Sequence, residues 1–405
     1  MMPQIISGLL LFILFPWASF AQPTSGFKGP ERNGNYTESG LLKSWPDEGP
    51  EQVWHVGGLG NGYSSPAVTS DRLFITGEKE GMGYLFSFDL QGKLLWQRSY
   101  GPEWMVSYSG PRATPVVAGN QVYVLSGKGK IASFEQETGD LNWSLEMLKE
   151  LNGSQVFYGF SESFLIDGDT LYCLPGGIET NVVALNRHNG EIFWVSAGTS
   201  ETAGYISPVV AHLPSRDLLI GMTEYSIYGL DKSTGKLLCT YDMETELDLA
   251  CNYPIVEEGA IYYATGPGNG TVKLEITPEG ESVEQVWKNS DMDTYFGGFV
   301  KIGNHLYGSS SRQRDFLSID CQSGETVSRL DFLKGAVIFF GGMIYIYNER
   351  GRMGLISVDN GEMEVVSSFQ PESGTREPFA FPVIDKGILY LRHGNVLMAY
   401  DIREE

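Results

Sequence analysis

Five histidines, four cysteines and one glycine-rich turn are the residues of this chain with the most obvious chemistry. His55, His188, His212, His305 and His393 stand far apart, mostly in expected turns, with no pair at i, i+2 or i, i+4 that would place two imidazoles on one metal. Cys173, Cys239, Cys251 and Cys321 form no CxxC, no CxxCH and no adjacent pair. They therefore lack the spacing of a zinc ribbon, a haem attachment or a vicinal disulfide, and read as small buried apolar residues. The run GPGNG, residues 266–270, has no following helix or Lys to cradle a phosphate, and no GxSxG elbow occurs. No catalytic signature emerges, and candidate binding residues take their place.

Aromatic residues recur at one point of the pattern described below: Tyr63, Tyr108, Phe160, Tyr205, Tyr253, Phe296 and Phe379. Trp104 and Arg112 stand beside them in GPEWMVSYSGPRATP. Cations recur at a second point: Lys79, Lys128, Lys130, Arg312, Arg314, Arg350, Arg352 and Arg392. Guanidinium groups bind carboxylates or sulfates bidentately, and aromatic rings stack on sugars or receive peptide side chains. The ligand-binding set is thus Trp104, Tyr108, Arg112, Tyr205, Tyr253, Phe296, Arg312, Arg350 and Arg392. Arg312, Arg350 and Arg392 are expected to form an arc.

A repeated unit must position these residues. SPAVTSDRLFITG, TPVVAGNQVYVLSG, YPIVEEGAIYYATG and FPVIDKGILYL share one frame, and eight such units follow one another at steps of 38 to 49 residues. Each reads as four short strands, the last two joined by a Gly turn; an aromatic stands four residues past it in Gly92 with Trp96, Gly139 with Trp143 and Gly190 with Trp194, and later units put Cys239, Ser328 and Val365 in that place. Four-stranded units of this period stack radially, which predicts an all-β, eight-bladed β-propeller of antiparallel blades. The last unit lacks a fourth strand, whereas EQVWHV, residues 51–56, is a strand without a unit. The early strand is predicted to complete the last blade and close the ring, which removes two open sheet edges. Connections between blades and between second and third strands then share one face, here the loop face. The aromatics and cations fall on it.

Residues 1–21 carry no charged side chain and end in Ser19, Phe20, Ala21, the pattern of a cleaved export leader. Residues 22–50 read as a lead-in and residues 51–405 as the propeller. The formal charge of −22 opposes phosphate contact, so nucleic acid is excluded as a partner. No transmembrane segment is expected in the mature chain, which should work in the periplasm or outside the cell, as a monomer.

LDKSTGKLLC and EQETGDLNW resemble the PQQ-like repeats of quinoprotein alcohol-dehydrogenase-type propellers, over residues 51–405. The lead-in FKGPERNGNY and the stretch DTYFGGFVKIGNHLYGSS resemble exported PQQ-binding-like propellers. Enzymes of that fold hold pyrroloquinoline quinone (PQQ) and calcium under adjacent cysteines, which are absent here. The resemblance would assign Glu162 and Asn269 to the calcium and Asp293 or Asp291 to the base, while Pro267 interrupts the ligand pattern. The expectation is a non-catalytic scaffold without cofactor, binding an exported protein or an anionic glycan on its loop face. The alternative is a PQQ- and calcium-dependent alcohol or sugar dehydrogenase.

Overall fold

A computed structural model describes residues 25–29, 32–36, 39–245 and 250–404. The leader lies outside the described residues. Eight four-stranded antiparallel sheets follow one another along the chain, each strand pairing with the next in sequence. Blade 1 runs Ala67–Val68, Arg72–Lys79, Met82–Asp89 and Leu94–Pro102 from the axis outward. Blade 8 is the exception to sequence order: its outermost strand is Glu51–Val56, paired antiparallel to Val396–Asp401. The orphan strand thus closes the ring, as its sequence predicted. One four-residue helix, Met147–Glu150, sits between blades 2 and 3.

Burial explains why the repeats stack. Second and third strands are buried on both faces, whereas the outermost strand Leu94–Pro102 buries only Trp96 and Tyr100 and leaves most of its residues exposed. Apolar clusters lie between blades: Val68, Leu73, Ile75 and Phe86 of blade 1 pack with Val383, Tyr390 and Leu397 of blade 8. Both faces of every sheet are then covered by a neighbour except at the outer rim.

Where a unit carries both, the Gly and the aromatic serve two different blades. The indole of Trp96 lies over Gly139 of the next blade and its Nε1 donates to Gln136 O at 3.2 Å. Trp143 treats Gly190 in the same way, with Nε1 donating to Arg187 O at 2.9 Å. A glycine is needed twice over, for a positive φ of 70° at Gly139 and for an indole where a Cβ would stand. Trp287 repeats the contact on Gly324. A longer turn around Gly280 hides that tryptophan from the sequence frame.

The lead-in fills the axis. Ser25 bridges antiparallel to Val117 of blade 2, and Asn35–Tyr36 add parallel to Phe339 and Phe340 of blade 7. Innermost strands run away from the loop face, so the segment enters from the opposite face, turns, and returns. Its residues touch all eight blades: Val68 and Val117 through Ser25, Tyr253 and Phe381 through Phe27, Phe299 through Lys28, Phe164 and Ser207 through Arg32, and Phe339 through Asn35.

Candidate loop-face site

The axial hairpin sets the depth of the site. Near its tip, Arg32 donates to Phe164 O at 2.6 Å, Ser163 O at 2.5 Å and Ser207 Oγ at 2.6 Å, two carbonyls and a hydroxyl at the loop-face ends of the inner strands of blades 3 and 4. Lys28 is buried, with Nζ 3.4 Å from Phe299 O and 4.9 Å from the Phe381 ring centroid. Burial without a carboxylate partner lowers its pKa to about 7. Glu162, also buried, accepts the Leu174 N–H at 3.0 Å on Oε1 while Oε2 has no partner. Desolvation raises its pKa to about 8, outweighing the field of Arg32, so the carboxyl is protonated at neutral pH.

Above the tip, aromatic rings close the mouth. Phe379 meets Phe296 at 4.5 Å, Tyr63 at 5.7 Å and Tyr108 at 5.8 Å between centroids. The Tyr63 hydroxyl donates to Glu377 Oε2 at 2.9 Å, and its pKa rises to about 12, from burial first and the carboxylate second. Arg376 reaches Ser109 Oγ at 3.3 Å, so the connection into blade 8 is strapped to the connection into blade 2. Tyr108 and Arg376 both hold positive φ, 44° and 62°, a strained setting for side chains and one that turns the Tyr108 ring half out of the protein.

The remaining predicted residues are distributed differently from the expected arc. Trp104 is buried under Lys128 and against Gly127 and Gly159, so it packs blades together instead of meeting a ligand. Arg112 donates to Tyr158 O, Ser107 O and Tyr108 O, stapling two connections. Tyr205 and Tyr253 are buried, and Tyr253 packs on Phe27 of the hairpin. Arg312 and Arg350 are exposed, Arg312 with Nε 3.9 Å from Asp293 Oδ2. Arg392 departs from the arc altogether. It is 1% exposed and donates to Gly394 O, Thr76 O, Ser64 O and Ser64 Oγ. Burial lowers its pKa to about 9. The reason is the tight turn after His393, which leaves Arg392 inside a strand opposite Leu397 and not in a loop.

Calcium and a quinone do not fit the residues present. Asp293 accepts from Gly268 N, Ser311 N, Arg312 N and Ser310 Oγ, so its carboxylate joins blade 5 to blade 6. Asp291 holds Thr326 and Arg329 at the rim. Asn269 is buried in its turn, and Glu162 stands in another blade, where it accepts the Leu174 N–H. Among the described residues no group of three or more His, Cys, Asp or Glu could hold a metal ion. The axis itself is taken by the chain's own hairpin.

Exposed apolar residues form a second candidate surface, of which the sequence reading named only Tyr108. Outside the outermost strands, the large exposed apolar side chains among the described residues are Met82, Met105, Val106, Tyr108, Leu148, Phe157, Tyr158, Ile178 and Tyr225. All nine stand on the loop face of blades 1 to 4 or their connections. Val106 is 78% exposed, Phe157 75% and Ile178 75%, values that leave whole side chains in water. The hydropathy of individual loops gave no such signal, because the crescent forms only when connections about forty residues apart stand side by side.

Known proteins share this architecture. BamB from Moraxella catarrhalis superimposes with a TM-score of 0.61 at 15% identity, over 87% of this chain and 99% of that one. A europium-containing methanol dehydrogenase gives 0.65 at 11% identity, over 91% and 90%. Both show the fold alone. In sequence, the outer membrane protein assembly factor BamB of Kangiella koreensis is 25% identical over 186 residues. The match spans 45% of this chain and 43% of that relative, less than half of either. The family model described as outer membrane protein assembly factor BamB matches residues 39–155 and 81–329, most of the chain, and the chain therefore belongs to that family of PQQ-like repeat propellers.

Proposed function

We propose that this chain is an exported, non-catalytic scaffold whose loop face receives a polypeptide at the apolar crescent of blades 1 to 4. The crescent carries the reading, since a soluble surface seldom gathers this many large apolar side chains without a partner. Aliphatic members such as Met105, Val106 and Ile178 suit peptide side chains better than sugar rings, which favours a polypeptide over an anionic glycan. Across the same face Arg312 and Arg350 are exposed, so a partner with an apolar stretch followed by carboxylates matches both sides. Family membership supports a scaffold role, and the leader-like residues 1–21 support export to the periplasm or beyond. No helix among the described residues is long and apolar enough to cross a membrane.

A Val106→Asp, Phe157→Asp double variant tests the reading. Both side chains are exposed, so the ring should keep its melting temperature while the partner captured from the native envelope is lost. Undiminished capture of that partner by the folded variant would remove the crescent as the binding surface. The dehydrogenase alternative has no observation in its favour beyond the fold.

A further inference from the structure

On the face opposite the loops, a cavity of about 860 Å³ opens beside the axial hairpin, between blades 8, 1 and 2. Its volume lies in the range of ligand sites. Val383, Ile384 and Asp385 form one wall, Val68 and Val117 a second, and Gly26 of the hairpin a third. We propose that this cavity binds an extended polypeptide segment bearing a basic side chain, which adds to the inner strand of blade 8 and sets its cation against Asp385.

Three observations carry the assignment. First, the inner strand Val383–Asp385 is the last in its sheet, with no strand on its axial side. The equivalent strands of blades 2 and 7 already receive extended chain there, from Ser25 and from Asn35–Tyr36. The axis of this ring thus takes added strands by backbone pairing, and blade 8 retains the same edge. Second, Asp385 is partly buried and makes no hydrogen bond or ion pair with any described residue, and desolvation raises its pKa. Its neighbour Lys386 is directed to Ser70 O at 3.3 Å. A half-desolvated carboxylate without a donor favours an incoming ammonium or guanidinium. Third, the only other acid of the cavity wall among the described residues, Glu137, is engaged by Arg72, so the unmet charge sits at one point beside the free strand edge. A strand edge with one adjacent carboxylate selects backbone and cation together, which a small amine would not use.

The site is separate from the loop face and is tested separately. The probes are three pools of fluorescent hexapeptides, acetylated and amidated, alternating Val and Thr with Lys, Glu or Leu fixed at the third position. Anisotropy titration of the intact protein should give about tenfold tighter binding of the Lys pool than of the other two. The preference should vanish in Asp385→Asn, persist in Asp385→Glu, persist in the loop-face variant Val106→Asp, and fall when the probe backbone is N-methylated. Equal binding of the three pools, a Lys preference that survives in Asp385→Asn, or indifference to N-methylation would overturn the assignment. Should Asp385→Asn fail to fold, the pool comparison and the N-methylated probe on the parent protein still decide.

Discussion

Gly92 of blade 1 lies flat against the indole of Trp54 of blade 8, where a Cβ would stand 2.9 Å from Cδ2, and Trp54 Nε1 donates to Leu90 O at 3.0 Å. This contact joins the chain's earliest propeller strand to the first blade, and it repeats the packing by which Trp96 and Trp143 join later blades. It is the seam of the ring. Gly92→Ala should therefore destabilise the protein by about 2 to 4 kcal/mol, combining a left-handed backbone strain with an overpacked indole. Denaturant midpoints measure the loss, and a variant within about 0.5 kcal/mol of the parent would show that the seam is loose.

Arg32 should hold the axial hairpin in place. Its guanidinium donates to Ser163 O and Phe164 O, and its removal takes the donor from the Phe164 carbonyl while Ser163 O keeps the Ser207 hydroxyl. We expect Arg32→Ala to cost about 2 to 4 kcal/mol, while Lys93→Ala on the rim changes stability by less than about 0.5 kcal/mol. Chemical unfolding of the two variants side by side makes the comparison. Equal effects would mean that the hairpin contributes nothing to the ring.

The two buried groups beside the axis should act in opposite pH windows. Glu162 has a folded pKa of about 8, above the ordinary 4.5, so its stabilising effect is complete below pH 4.5 and is lost as pH rises through 8. Lys28 has a folded pKa of about 7, below the ordinary 10.5, so its effect is complete above pH 10.5 and is lost as pH falls through 7. Glu162→Gln should thus gain stability relative to the parent as pH climbs from 5 to 8, and Lys28→Met as pH falls from 10 to 7. Flat difference curves across these windows would refute the buried, unpaired state of each group.

PQQ with calcium should leave the melting temperature of the protein unchanged, because a ligand that does not bind the native state cannot stabilise it. The measurement needs saturating calcium, the quinone and a thermal scan. A rise that depends on both additives would restore the dehydrogenase alternative.

The repeat period made the ring legible before any coordinates, and the missing fourth strand of the last unit identified Glu51–Val56 as its closure. The hairpin was not legible. Residues 25–36 have neither alternation nor a repeat, and the contacts of residues 25–29 and 32–36 are made to eight blades that are far away in sequence. Arg392 was misplaced for a related reason: two residues fewer in a turn convert an exposed loop cation into a buried strand cation. Trp104 and Arg112 looked free of the repeat and proved to be its fasteners between connections. For the aromatic mouth, pattern reading placed Tyr63, Phe296 and Phe379 together correctly, whereas Tyr253 lies deeper because Phe27 occupies the axis beneath it. The apolar crescent depends on loops whose proximity only the closed ring creates.

The loop face as the polypeptide-binding surface is the central claim, and site-specific photocrosslinking in the native envelope tests it most directly. A photoreactive amino acid is placed singly at Val106, Phe157 or Ile178 on the crescent, and singly at Gln91 or Asn189 in turns of the opposite face. The account predicts adducts of one common partner from the three crescent positions and none of that partner from the other two. Adducts of equal yield from both faces, or from the turn positions alone, would contradict it.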